Sequence, residues 1–260
     1  MAGDAIMVYK LHAELKEFKA KVQRSLLLIQ KAVARSKRPY VACSWGKDSI
    51  CLLHLVASQR PGVDVIYVHC GEYDDWPGTE ELMEKYKAML PITVHVAEAM
   101  SVVETYRLVG HFYVFPSTPA ERAADAAYNR AFFRAIIGKA RELGCDLAFI
   151  GLTKEESKIR RRLLERRGAL FYSRTHKMWE CFPLADWTGR DVWAYIFAHN
   201  LPYLELYDLA PDREKARNGA MFAATIRGGG YFGQLALLKR MYPELFNRFA
   251  AEFPEVRCYV

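Results

Sequence analysis

Over the first 35 residues, apolar side chains return every three or four positions. Leu11, Leu15, Phe18, Val22, Leu26, Ile29 and Val33 alternate with Lys, Glu and Arg. That period predicts one long amphipathic helix over 9–35, ended by Ser36-Lys37-Arg38-Pro39. A helix of this kind packs on a domain or, less simply, forms a coiled-coil arm, which leaves a homodimer open. The pattern then changes. Apolar runs at 40–43, 63–69, 92–97 and 147–150 predict strands, and the stretches 48–59, 79–89, 101–108 and 120–143 between them carry helical spacing. Strands separated by helix-length segments mean βαβ units and a doubly wound, mostly parallel α/β sheet. Residues 169–173 and 178–182 flank Arg174-Thr175-His176-Lys177 and predict a hairpin. Thr188 is placed to cap a helix carrying Val192, Tyr195 and Ile196 inward. Helical pieces follow at 221–226, 231–242 and 244–253, with Gly228-Gly229-Gly230 breaking the first two apart. The expected organisation is an N-terminal amphipathic helix over 1–36, an α/β domain over 37–208 and a helical C-terminal extension over 209–260.

In such sheets ligands bind beyond the carboxyl ends of the strands, near a switch in strand order. Three loops end there. The first is Ser44-Trp45-Gly46-Lys47-Asp48-Ser49, between the first strand and its helix. A helix N-terminus reached through a tight polar turn is an anion site, because unpaired backbone N–H groups and the positive end of the helix dipole converge there. Gly46 allows close approach, Lys47 brings charge, and Ser44 and Ser49 bring hydroxyl donors. Asp48 is an acid where an anion should sit. It fits if it caps the helix or holds magnesium on bound phosphates. The spacing is not that of a Walker A loop, since no glycine stands where that loop needs one.

The second loop, 70–80, is acidic and aromatic, with Thr79 as candidate N-cap. Asp74 or Asp75 could support a metal, although solvated carboxylates are the plainer expectation. The third, Gly151-Leu152-Thr153-Lys154-Glu155-Glu156-Ser157-Lys158-Ile159-Arg160-Arg161-Arg162, opens a helix carrying Lys154, Lys158, Arg160, Arg161, Arg162, Arg166 and Arg167 within fourteen residues. Part of this charge is ordinary i,i+4 support with Glu156. The surplus suits a nucleotide tail with extra sulfate or phosphate, or a nucleic acid.

Composition narrows the classes. Apolar residues make up 52% and charged residues 26%, an ordinary globular balance, and the net charge of +7 suits an anionic partner. No apolar run approaches a membrane span and no signal-peptide pattern opens the chain, so a soluble, cytoplasmic protein without membrane contact is expected. The six cysteines (43, 51, 70, 145, 181 and 258) include no Cys-x-x-Cys pair, so no zinc site or iron–sulfur cluster is expected.

The loop at 44–49 resembles the PP-loop, Ser-Gly-Gly-x-Asp-Ser, of the ATP pyrophosphatase and phosphoadenosine-phosphosulfate (PAPS) reductase superfamily. Trp45 replaces that motif's first glycine, and a bulky residue there implies a position that does not need φ > 0. The 151–162 segment looks like the Gly-x-Arg-x-x-Glu-Ser-x-x-Arg stretch of PAPS reductases. Residues 182–208, including Pro183-Leu184-Ala185-Asp186-Trp187-Thr188-Gly189-Arg190-Asp191-Val192-Trp193, then Leu201-Pro202-Tyr203 and Leu206-Tyr207-Asp208, resemble a signature of the same family. The resemblance spans about residues 38–208 and implies an adenine nucleotide alpha-hydrolase-like fold. Under it, Ser44, Trp45, Gly46, Lys47, Ser49, Gly151, Lys154, Arg160 and Arg161 would contact the nucleotide's phosphates. Lys47, Asp48 and Arg160 would be catalytic, with magnesium at Asp48.

Two chemistries of the family compete. One cleaves ATP at the α-phosphate and transfers the adenylyl group, with a nucleic acid acceptor left open; the other reduces APS or PAPS through a thiolate near the C-terminus in Glu-Cys-Gly-(Ile/Leu)-His. That tail motif is absent here, where Val256-Arg257-Cys258-Tyr259-Val260 holds Cys258 alone. The expectation is therefore an enzyme acting on the phosphates of an adenosine nucleotide. The alternatives are a sulfonucleotide reductase using Cys258 or an external thiol, and a non-catalytic regulatory or nucleic-acid-binding module.

Overall fold

The structure is a computed structural model and describes residues 2–71, 75–210, 212–216 and 234–260. The chain folds as two compact units. The first takes in residues 1–67, 78–96 and 136–204, and the second residues 68–77, 97–135 and 205–260.

The long N-terminal helix expected over 9–35 is two helices, α1 (Ala2–Ala13) and α2 (Lys16–Val33). Leu15 breaks them apart with extended backbone, φ −64 and ψ 136. The two helices then seat differently, and α1 leaves Met7, Val8 and Leu11 exposed. α1 packs on α8 (Gly189–Ala198, reached below), with Tyr9 stacked on Phe197 at 5.6 Å. α2 buries Phe18, Ile29 and Ala32 and packs on α3. A one-period reading of the sequence cannot see such a break, because Leu11 and Leu15 keep the helical spacing across it.

From there the alternation runs as the pattern predicts: β1 (Pro39–Ala42), α3 (Lys47–Gln59), β2 (Val63–His69), α4 (Thr79–Met89), β3 (Ile92–Glu98), α5 (Val102–Val109), α6 (Pro119–Glu142), β4 (Leu147–Ile150), α7 (Lys158–Arg167), then the hairpin β5 (Leu170–Ser173) and β6 (Met178–Cys181), and α8. The six strands order as β3-β2-β1-β4-β6-β5. β1 is parallel to both β2 and β4, β4 is parallel to β6, and β5 closes the edge antiparallel to β6. Val41, Val65, Leu147 and Phe149 are buried on the central strands, which is why those runs read as nearly continuous apolar sequence. The chain leaves β1 toward β2 and later returns to β1's other side with β4. The order therefore reverses at β1, and the switch point lies where the Ser44–Ser49 loop begins.

A carboxylate ties the helices of this unit together. Thr188 caps α8 in a reciprocal box with Asp191. Asp191, almost wholly buried, also receives His12 of α1 at 2.8 Å and Lys21 of α2 at 2.7 Å. Burial opposes its ionisation, but the Lys21, His12 and Thr188 hydrogen bonds outweigh that and hold the carboxyl below its ordinary value.

In the second unit, Ser101 and Glu104 form a capping box at the start of α5. Tyr106 packs against Phe112, Phe249 and Phe253, with ring centroids 4.9, 6.3 and 5.7 Å away. The chain continues through α9 (Leu206–Leu209), α10 (Gln234–Met241), α11 (Pro243–Glu252) and a closing 3₁₀ turn, Pro254–Tyr259. The helical piece expected over 221–226 and the triple glycine lie outside the described residues.

Candidate phosphate site at the β1–α3 turn

β1 ends at Ala42 and the chain turns through Cys43–Gly46 into α3, whose N-cap is Gly46 with no side chain bonded to the cap. A helix start left without a side-chain cap presents backbone N–H groups to whatever binds there. Asp48 does not take the capping role open to it. Its carboxylate receives the Lys47 ammonium at 2.7 Å, and Lys47 is 5% exposed. The loop therefore buries a lysine against the carboxylate of the next residue, beside an uncapped helix N-terminus. The Ser49 hydroxyl donates to the Gly46 carbonyl at 2.9 Å and lies 3.5 Å from the Ser44 hydroxyl, which reaches solvent.

Trp45 corrects an expectation. Its φ is +59, so the position does adopt the left-handed conformation that its side chain argued against. The indole is fully buried, with Tyr67 and Tyr86 ring centroids at 6.2 and 6.0 Å, and its Nε1 has no hydrogen-bond partner. Left-handed strain costs about 1 kcal/mol or more, and an unpaired buried N–H a further ~1–3 kcal/mol. Burying roughly 200 Å² of indole returns about 5 kcal/mol at the usual coefficient, so packing wins. A phosphate contact through this side chain does not fit, because its only polar atom is sealed away.

Gly151 follows β4 and meets the same helix start. A Cβ there would sit 3.4 Å from the Asp48 and Ser49 backbone, at the short edge of ordinary contact, so the two loops run close together at this position. Beyond it, the helix expected to open near 154 begins at Lys158, with Ser157 as N-cap accepting from the Arg160 backbone at 3.1 Å. The intervening residues are spent on local bonds. Lys154 pairs with Asp186 at 2.7 Å, Arg160 pairs with Glu156, and the Glu155 carboxylate accepts from the Gly189 backbone at 2.7 Å. Two of the cations expected on a distal anion thus already have acidic partners, while Arg161 is exposed.

The loop after β2 belongs to the second unit. Gly78, in the first unit and with φ +91, is the N-cap of α4 in place of Thr79, because a left-handed turn precedes the helix. Asp75 bonds His69 at 2.6 Å, and Asp74 lies outside the described residues. Among the described residues no group of three or more His, Cys, Asp or Glu is placed to hold a metal.

The thiols separate sharply. Cys43, Cys51, Cys70, Cys145 and Cys181 are buried and Cys258 is exposed. The Cys43 thiol donates to the Ser49 hydroxyl oxygen at 3.6 Å, and burial pushes that thiol up to about 11, with the Ser49 contact opposing the shift. It stays protonated near neutral pH, so it is a packing group and not a nucleophile. Among the residues sequence reasoning passed over, Cys43 and Asp186 are the two this site brings forward. Asp186 carried a signal, as one of two acids, with Asp191, in the 182–193 signature.

Comparison with known proteins agrees with this architecture. The family model of the phosphoadenosine phosphosulfate reductase domain matches residues 38–232. The chain belongs to that family. Among curated relatives, a phosphoadenosine 5'-phosphosulfate reductase of Xanthomonas axonopodis pv. citri is 26% identical over 185 residues, covering 65% of each chain. An adenosine 5'-phosphosulfate reductase of Bacillus cereus is 24% identical over 180 residues, covering 65% of this chain and 67% of that one. The first of these matches thus spans just under two thirds of the relative's length. Among solved structures, a phosphoadenylyl-sulfate reductase from Candida auris, in a phosphate complex, is 20% identical with a TM-score of 0.55, over 78% of this chain and 89% of its own. At that identity the match shows the fold alone. No helix among the described residues is long and apolar enough to cross a membrane.

Proposed function

We propose that this PAPS-reductase-family chain is an enzyme that binds an adenosine nucleotide by its phosphates at the Ser44–Ser49 loop, the nucleotide being a sulfonucleotide, APS or PAPS. The observation that carries the reading is the uncapped start of α3 with Lys47 buried beside it at the point where strand order reverses. The choice of sulfonucleotide over ATP is supported by relatives named as PAPS and APS reductases.

In the free protein Asp48 satisfies Lys47. Phosphates arriving at the helix start compete for that ammonium, and Ser44 and Ser49 add hydroxyl donors. Asp48, freed by the exchange, fits a magnesium ion, which is commonly held by one or two carboxylates together with substrate phosphates and needs no preformed cluster. Bound there, magnesium would neutralise phosphate charge. Arg161 is the cation left to meet an outer sulfate or phosphate without first losing a partner, whereas Lys154 and Arg160 must exchange Asp186 and Glu156 for it.

Reduction needs a thiolate. It attacks the sulfuryl sulfur, the bond from sulfur to the phosphate oxygen breaks, and the nucleotide leaves with that electron pair. A second thiolate then attacks the resulting S-sulfo group, forming a disulfide and releasing sulfite. The five buried cysteines do not serve, so the thiolate comes from Cys258 or from an external dithiol. The absent tail motif favours one second reading, cleavage of ATP at its α-phosphate. Incubation with APS, PAPS or ATP, with magnesium and dithiothreitol, followed by product analysis, separates the two. Sulfite with AMP or PAP supports the reductase, AMP or an adenylyl adduct with pyrophosphate supports the second reading, and no product from any of them overturns both.

A further inference from the structure

We infer that the outward face of α7 is a docking surface for the phosphate backbone of duplex DNA. The helix Lys158–Arg167 seats on the first unit through one residue, Leu164, buried against Phe182 and Ala185. Helical geometry places Lys158, Arg162 and Arg166, spaced four apart, on the side facing away from Leu164. All three are exposed, as are Arg161 and Arg167, and Arg167 also lies 5.1 Å over the Phe171 ring. Among the described residues, Arg160 is the one cation of this helix with a carboxylate partner, and Glu165 is its one acid. Like charges four apart on a helix repel, so this row does not stabilise the helix that carries it. An external polyanion removes that repulsion, and the +7 charge of the whole chain attracts one.

The residue types select the partner. Four of the five exposed cations are arginines, whose planar donors match phosphate oxygens in pairs. Lys158–Arg167 contains no aromatic residue on which unpaired bases could stack, which disfavours single strands. A ten-residue helix fits the wide major groove of B-form DNA, whereas the major groove of A-form RNA is too narrow. Ile159, 80% exposed beside the row, is available for apolar contact with a thymine methyl.

The surface shares Arg161 with the nucleotide reading, but the row Lys158, Arg162 and Arg166 lies outside it, and the test uses only that row. Anisotropy titrations of a labelled DNA duplex with the full chain, from about 50 to 200 mM salt, should show binding whose logarithm falls with log salt at a slope of about −4. R162Q/R166Q should weaken binding at least tenfold and reduce the slope by about two. K10Q/K31Q, which removes the same charge from α1 and α2, should leave both nearly unchanged. Far-UV circular dichroism and nucleotide affinity should match wild type in both variants, so a folding defect or a failed nucleotide site is seen for what it is. Absence of DNA binding at low salt, equal losses in the two double variants, or tighter binding to duplex RNA or to polyglutamate would each overturn the inference.

Discussion

Asp48 is paired with Lys47 in the loop, and that single contact organises the chemistry proposed for it. An ammonium buried against the carboxylate of the next residue is held in place for a phosphate without being left unpaired. Asp48→Asn should then raise nucleotide affinity measured without magnesium, because phosphate no longer competes for Lys47, and should remove most of the gain that magnesium gives. Titration calorimetry with and without magnesium reads both effects; equal magnesium dependence in variant and wild type would contradict this role. Trp45 is the opposite case, a residue whose polar atom does nothing and whose bulk does everything. Trp45→Phe should cost under about 1.5 kcal/mol of stability, as a near volume-conserving change that also removes the unpaired N–H. Trp45→Ala should cost about 3–5 kcal/mol through the cavity it leaves. Urea denaturation separates them. The loop's location and its donors were legible in the residues themselves. Trp45's backbone was not, because propensity argues against left-handed Trp while only the packing of Tyr67 and Tyr86 shows what overrides it.

At the scale of elements, Asp191 does for the helices what Asp48 does for the loop. It joins the start of α8 to α1 and α2 through His12 and Lys21. Asp191→Ala leaves the half-buried Lys21 ammonium without this partner and should destabilise the protein by about 3 kcal/mol. Proteolysis should then cut first near the α1–α2 break; a cost below roughly 1 kcal/mol would show the carboxylate to be incidental. Thr188 and Asp191 were recognisable in sequence as a helix start, but the attachment of α1 was not, since the contact joins residues 179 positions apart. The break at Leu15 was missed for the same reason. Local period says where a helix can run, and tertiary partners say where it stops. The basic segment divided likewise: its charge was plain in the sequence, but the partners of Lys154 and Arg160 and the exposure of Arg162 and Arg166 appear only in the fold.

For the molecule as a whole, the alternation of apolar runs determined the sheet class, and the return of β4 beside β1 put the Ser44–Ser49 loop at the switch point. The fold also sets a pH response. Burial and the neighbouring His199 lower His54, and burial lowers His199. Their folded values lie below their unfolded ones, so their contribution is full above about pH 6.5 and is lost as pH falls through the folded values. Asp64 and Asp146 are lowered as well: burial raises each, but hydrogen bonds from Arg38 and His95 to Asp64, and from Lys37, Ser36 and Arg38 to Asp146, prevail. Together with Asp191 they contribute stability that is present above about pH 4 and lost below it. Chemical denaturation between pH 7 and 3 should therefore show stability declining in two steps, the first near the histidine range and the second in the carboxylate range. A flat profile down to pH 4 would contradict the first step.

Titration calorimetry of PAPS and APS against wild type and Lys47→Ala tests most directly whether an adenosine nucleotide binds by its phosphates at the Ser44–Ser49 loop. Loss of the buried ammonium should weaken binding by about 10- to 100-fold, the worth of a charged hydrogen bond. Unchanged affinity in Lys47→Ala, with the variant folded, would place the nucleotide elsewhere.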